Sequence, residues 1–136
     1  MKSEQMPLPV HEEELIKAFF LKERRERYLL GLANSRKRRK ITNEFCHFKH
    51  LALRHSVPML PSQQNPADIY GMLKKLGAPD ICWVISDEIE LDGQTMNLRE
   101  ALDEVVGRTF ATFLCCVEGK LAYFENEDGR WIVRRS

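Results

Sequence analysis

The chain carries no pattern that announces a chemistry. It has no Gly-x-Ser-x-Gly elbow, no Walker loop and no glycine triplet following a strand. It also lacks the paired Cys-x2-Cys and His-Glu-x-x-His spacings of zinc sites. Seven glycines and six prolines in 136 residues exclude collagen-like and low-complexity chains. Clean apolar runs such as Phe113 to Val117 fall far short of the roughly 18 residues a membrane span requires. Residues 1–10 contain Lys2 but no apolar stretch behind it, which argues against a secretory signal. Without such a signal the four cysteines, Cys46, Cys82, Cys115 and Cys116, read as reduced thiols of a cytoplasmic protein. Cys115 and Cys116 are adjacent, so on a strand they point to opposite faces, which argues against their pairing with each other.

What is present is ordinary in amount and uneven in place. Hydrophobic residues make up 43% and charged residues 30%, enough for one core without staples. The formal charge of +1 conceals a split. Residues 1–57 hold 13 Lys and Arg against 7 Asp and Glu, and residues 58–136 hold 8 against 13. All four histidines lie in the first part. The expected organisation is a flexible tail over 1–10 and a single α+β domain over 11–136. Within that domain a basic helical portion (11–57), a proline-rich connection (58–66) and an acidic α+β portion (67–136) follow one another, the two main parts packing through their opposite charges.

Leu15, Ile16, Phe19 and Phe20 form a helical stripe behind an acidic first turn, Glu12 to Glu14. Six charged residues, Lys22 to Arg27, interrupt it before Tyr28, Leu29, Leu30 and Leu32 resume it, so the chain either bends near Leu21 or continues as one helix with a solvated middle. A second helix is expected from Ser35 to about Leu51. Asn65-Pro66 then caps a helix carrying Ile69, Met72, Leu73 and Leu76, closed by Gly77. Ile81 to Ile85 is an apolar, β-branched run expected as a central strand buried on both faces. Asp87 to Gly93 reads as an acidic connection; laid on a calcium loop it fails, because Arg99 falls where a bidentate Glu is required. Asn97, with Glu100 three residues on, opens another helix ended by Gly107. Thr109–Val117, Lys120–Asn126 and Arg130–Arg134 alternate with short glycine-bearing turns and predict a three-stranded antiparallel meander. The fold class is therefore α+β: N-terminal helices plus a mixed or antiparallel sheet of about four strands. If Ile81–Ile85 and the first meander strand are parallel neighbours, the connection between them should be a right-handed crossover.

The candidate site is the basic run Arg36, Lys37, Arg38, Arg39 and Lys40, preceded by Lys22, Arg24, Arg25 and Arg27. On a helix, Arg36, Lys40, Asn43 and His47 share a face that fits a phosphate backbone or an acidic protein. The run is equally compatible with neutralising the acidic portion of its own chain. Cys46, His47 and His50 cluster in sequence, but Cys46 and His47 diverge by about a quarter turn on a helix and read as surface or packing residues. The aromatics Trp83, Phe110, Phe113, Tyr123, Phe124 and Trp131 read as core, with a platform built on Tyr123 and Trp131 as the alternative. No cofactor or metal is implied. The leading expectation is a non-catalytic interaction protein whose charge-polarised surface binds a protein partner or a second copy. Nucleic-acid binding through 36–40 is the alternative, and a small enzyme with a cleft between the two portions comes second to it.

Overall fold

A computed structural model describes residues 8–59 and 65–135. The expected tail lies outside the described residues up to position 7, and from Val10 the chain is already helical. The described residues form five α-helices: α1 (Val10–Phe19), α2 (Arg25–Ala33), α3 (Arg38–Glu44), α4 (Pro66–Lys75) and α5 (Leu98–Val105). Six strands, β1 (Ser56–Pro58), β2 (Ile81–Ser86), β3 (Gln94–Asn97), β4 (Thr112–Val117), β5 (Leu121–Asn126) and β6 (Gly129–Arg134), form one antiparallel sheet in the order β1-β6-β5-β4-β2-β3. The class is α+β, and no helix among the described residues is long and apolar enough to cross a membrane.

Strand alternation sorts the sheet's side chains into two cores. Ile85, Phe113, Cys115, Ala122, Phe124 and Val133 join Leu15, Ile16, Phe19, Phe20, Tyr28, Leu32, Ile41 and Phe45 under the N-terminal helices. On the other face Cys82, Val84, Leu114, Cys116, Tyr123 and Ile132 meet Ile69 and Leu73 of α4 and Leu98, Ala101, Leu102 and Val105 of α5. The first core is rich in rings: Phe113 stacks on Phe124 at 4.2 Å between centroids, and Phe124 on Trp131 at 5.6 Å. Tyr123 and Trp131 consequently face opposite sides of the sheet, and the platform suggested by their proximity in sequence is not formed.

The meander stands where the alternation places it, each strand pairing with the next. Asn65 and Asn97 cap α4 and α5, accepting from the Asp68 and Glu100 backbone N–H groups at 2.9 and 3.1 Å. Gly77, with φ of +104°, ends the α4 segment in the left-handed region. Asp128-Gly129 is not the turn itself: Gly129 already pairs with Asn126, and Asn126 Oδ1 accepts from the Asp128 N–H at 2.8 Å to close the loop.

Three expectations need correction, and the open choice between parallel and antiparallel neighbours is decided. Among the described residues the sheet has six strands rather than four, because β1 and β3 are short, largely exposed strands at its two edges, held by pairing with β6 and β2. β2 and β4 are antiparallel neighbours. The reason is β3, which reverses the chain before α5, so the helical crossover joins β3 to β4 on either side of β2. Ile81, at the start of β2, is 57% exposed, so burial on both faces begins at Cys82. The helix expected over 35–51 is only α3, followed by a 3-10 turn at Phe45–His47. Near Leu21 the chain does break: Phe20 is extended and bridges Leu51.

Candidate basic interface

Glu12 is fully buried although it is a carboxylate. It lies on the same stripe of α1 as Leu15, Ile16 and Phe19, and faces Arg38, the first residue of α3. Arg38 Nη1 and Nη2 donate to the two oxygens of Glu12, each at 2.7 Å. Its Nε and Nη2 donate to Asp92 at 2.7 and 3.0 Å, and Nη1 donates to the Leu32 carbonyl at 3.3 Å. The five N–H donors of the guanidinium are thus all engaged. Trp83 Nε1 donates to Glu12 at 2.8 Å, and the Ser86 N–H to Asp92 at 2.9 Å. Burial opposes the charge on Arg38, but its hydrogen bonds to Asp92 and Glu12 outweigh it and raise its pKa. The network floors a cavity of about 260 Å³ walled by Leu8, Pro9, Leu32, Ala33 and Trp83. With its donors saturated, Arg38 serves to dock α1 and α3 on the β2–β3 turn and has no N–H left for an external anion.

The rest of the run diverges from Arg38. Arg39 is exposed and donates through Nη1 to the Asp87 carbonyl at 3.1 Å. Arg36, Lys37 and Lys40 are exposed. Among the described residues no carboxylate lies within ion-pair distance of Lys37 or Lys40. Lys37 borders a groove of about 340 Å³ between α2 and α3, lined also by Arg27, Leu30, Gly31, Asn34 and Ile41. Leu30 is 57% exposed. The groove exists because the two helices approach closely at Gly31, where a Cβ would sit 2.5 Å from Ile41 Cγ1. Arg27, on its rim, is held in an ion pair with Glu44.

The cysteines and histidines go to separate places. Cys46 Sγ donates to Asp87 Oδ2 at 3.1 Å. Burial first, then that hydrogen bond, push its thiol up to about 11. His47 faces Glu127 and Asp128 at 3.3 and 3.2 Å, and His50 packs on Tyr28 and Phe48. Burial pushes Cys82 up to about 12 and raises Cys115 and Cys116 as well. No group of three or more metal-ligating side chains is found among the described residues.

A second buried carboxylate, Glu125, accepts from the Gly107 N–H at 3.0 Å, the Thr109 N–H at 2.9 Å, the Tyr123 hydroxyl at 2.7 Å and Arg130 Nε at 3.2 Å. It fastens the α5–β4 loop, where Thr109 carries a φ of +61°. Both buried carboxylates were unannounced as sites in the sequence. Glu12 did leave a signal, an acid at helical spacing on an apolar stripe, whereas Glu125 sits in a run of alternation that gives no sign of its partners. Compared with known proteins, the chain matches no family model, no curated protein and no solved structure.

Proposed function

We propose that this chain is a small, non-catalytic interaction protein that docks an acidic, amphipathic segment of a partner protein into the groove between α2 and α3. The observation that carries the reading is the composition of that groove: an apolar floor of Leu30, Gly31 and Ile41 beside the cation Lys37, with Arg27 on the rim paired to Glu44. Lys40 extends the exposed positive surface along α3. Such a surface complements a helix or strand that presents an apolar side chain flanked by carboxylates. A nucleic-acid backbone would use the cations and leave the floor idle, and Arg38, at the centre of the basic run, has its donors engaged inside the molecule. Four free thiols suit a reducing, cytoplasm-like compartment.

The test is fluorescence anisotropy with a labelled peptide bearing Leu and Glu at helical spacing, run beside labelled single- and double-stranded DNA and RNA at two salt concentrations. Peptide binding should weaken with salt, and Leu30→Glu or Lys37→Glu should weaken it by about tenfold or more, as expected for a central contact of a small interface. Leu30 is exposed, so its substitution leaves the fold intact. Absence of peptide binding at low salt would overturn the proposal. So would nucleic-acid binding that ignores Leu30→Glu. Light scattering after size exclusion adds a third arm: a salt-sensitive dimer abolished by Leu30→Glu would replace the separate partner with a second copy of the chain.

A further inference from the structure

Where α1 ends, two segments far apart in sequence run side by side. The Leu21 N–H donates to the His50 carbonyl and the Ala52 N–H to the Phe19 carbonyl, both at 2.7 Å, flanking the Phe20–Leu51 bridge. Beyond this rib each segment coils into a 3-10 turn, Lys22–Arg24 on one side and Leu53–His55 on the other. Between them lies a cavity of about 570 Å³ lined by Phe20, Leu21, Lys22, Arg25, Ala52 and Arg54. Three of its six lining residues are cations and none is acidic. The nearest acids in sequence, Glu23 and Glu26, are exposed and do not line it.

Cations crowded round a hollow repel one another unless carboxylates or a bound anion intervene. Among the described residues none of the three has a carboxylate within ion-pair distance. Arg25 is oriented by its Nε, which donates to the Phe20 carbonyl at 3.1 Å and leaves the terminal nitrogens for another acceptor. Arg54 Nε donates to His55 Nε2 at 3.2 Å, which likewise leaves its terminal nitrogens. The field reaches the neighbouring ring: burial, then Arg54 and Arg135, lower the pKa of His55.

We infer that this cavity is a binding site for a phosphate monoester, its dianion held by Arg25, Arg54 and Lys22 and its organic stem resting on Leu21 and Ala52. Two guanidinium forks and one ammonium suit a tetrahedral group of two negative charges better than a single carboxylate. The room exceeds what a bare anion fills, which is why an ester is favoured. The site lies at the end of α2 remote from Asn34 and does not rest on the groove reading.

The experiment is a titration of the isotope-labelled protein with O-phosphoserine, inorganic phosphate and succinate at constant ionic strength, followed by backbone amide resonances. O-phosphoserine should shift the amides of Lys22, Arg25, Ala52 and Arg54 saturably, and more tightly than succinate. Arg54→Gln should weaken that binding by about tenfold, the scale of a lost charge-assisted hydrogen bond, and Arg25→Gln likewise. Arg54 is exposed, so its variant keeps the test decisive should Arg25→Gln perturb the fold, which unshifted Phe113 and Phe124 resonances would monitor. Lys37→Gln should leave the affinity unchanged. A phosphoserine peptide in a further arm separates the sources: equal affinity for amino acid and peptide indicates a free metabolite, and tighter peptide binding a modified protein. No saturable shift at these amides, an equal response to succinate, or shifts centred on Lys37 and Lys40 would overturn the site.

Discussion

Arg38 shows how far one residue's role departs from its sequence context. Within a run of five consecutive cations it is engaged by two carboxylates, one of them Glu12, whose side chain is fully buried. Removing one partner of a buried ion pair costs far more than the pair itself contributes, because the other charge stays desolvated. Arg38→Met is therefore expected to destabilise the protein by about 3–5 kcal/mol, measured by urea denaturation, whereas Lys37→Met and Lys40→Met should change stability by less than about 0.5 kcal/mol. A small, equal effect at the three positions would contradict the network. The sequence made the charge of this run legible but not its sorting, since Glu12 and Asp92 lie 26 and 54 residues away from Arg38.

At the scale of elements, the close crossing of α2 and α3 hangs on Gly31. Its missing Cβ lets Ile41 lie against the α2 backbone, and both helices then cover the ring-rich core. Gly31→Ala raises helix propensity yet places a methyl 2.5 Å from Ile41 Cγ1, next to that side chain's branch point, where a rotamer change relieves the clash only in part. The expected net loss is about 1–3 kcal/mol by thermal or chemical unfolding, and Ile41→Val in the same chain should recover part of it. Additive effects in the double variant would show that the two residues do not meet. The elements that the sequence displays best, α4, α5 and the meander, are those whose signals are local: asparagine caps, a left-handed glycine and strict alternation. β3 escaped because Gln94–Asn97 is four residues long with Met96 as its one apolar side chain, too little for an alternation; it is a strand because β2 offers it a ladder.

For the molecule as a whole, four thiols and the Tyr123 hydroxyl share a response to alkali. Burial raises the pKa of Cys46 and Cys82 to about 11 and about 12, and also raises those of Cys115, Cys116 and Tyr123. A raised native pKa means that the folded chain keeps protons the unfolded chain has released. Stability from these groups is therefore undiminished below the unfolded thiol value and falls as pH rises from about 9 towards 12. The denaturation midpoint should decline through that window, with thiolate absorbance appearing together with loss of the fold rather than before it. Cys46, the least buried of the four, should be the first to react with an alkylating reagent in the native state. Rapid native alkylation of Cys115 at neutral pH would contradict the packing.

By itself the sequence determined the α+β class, both asparagine caps, the three-stranded meander and the split of charge between the two halves of the chain. Each of these is written in neighbouring residues, because hydrophobic period and turn chemistry act over a few positions. Only the tertiary structure decided that β2 and β4 run antiparallel, that Tyr123 and Trp131 face away from each other, that Arg38 turns inward while Lys37 and Lys40 stay exposed, and that Arg54 joins Lys22 and Arg25 around one cavity. Period specifies which side of an element is covered but not what covers it, and charge specifies attraction but not the partner.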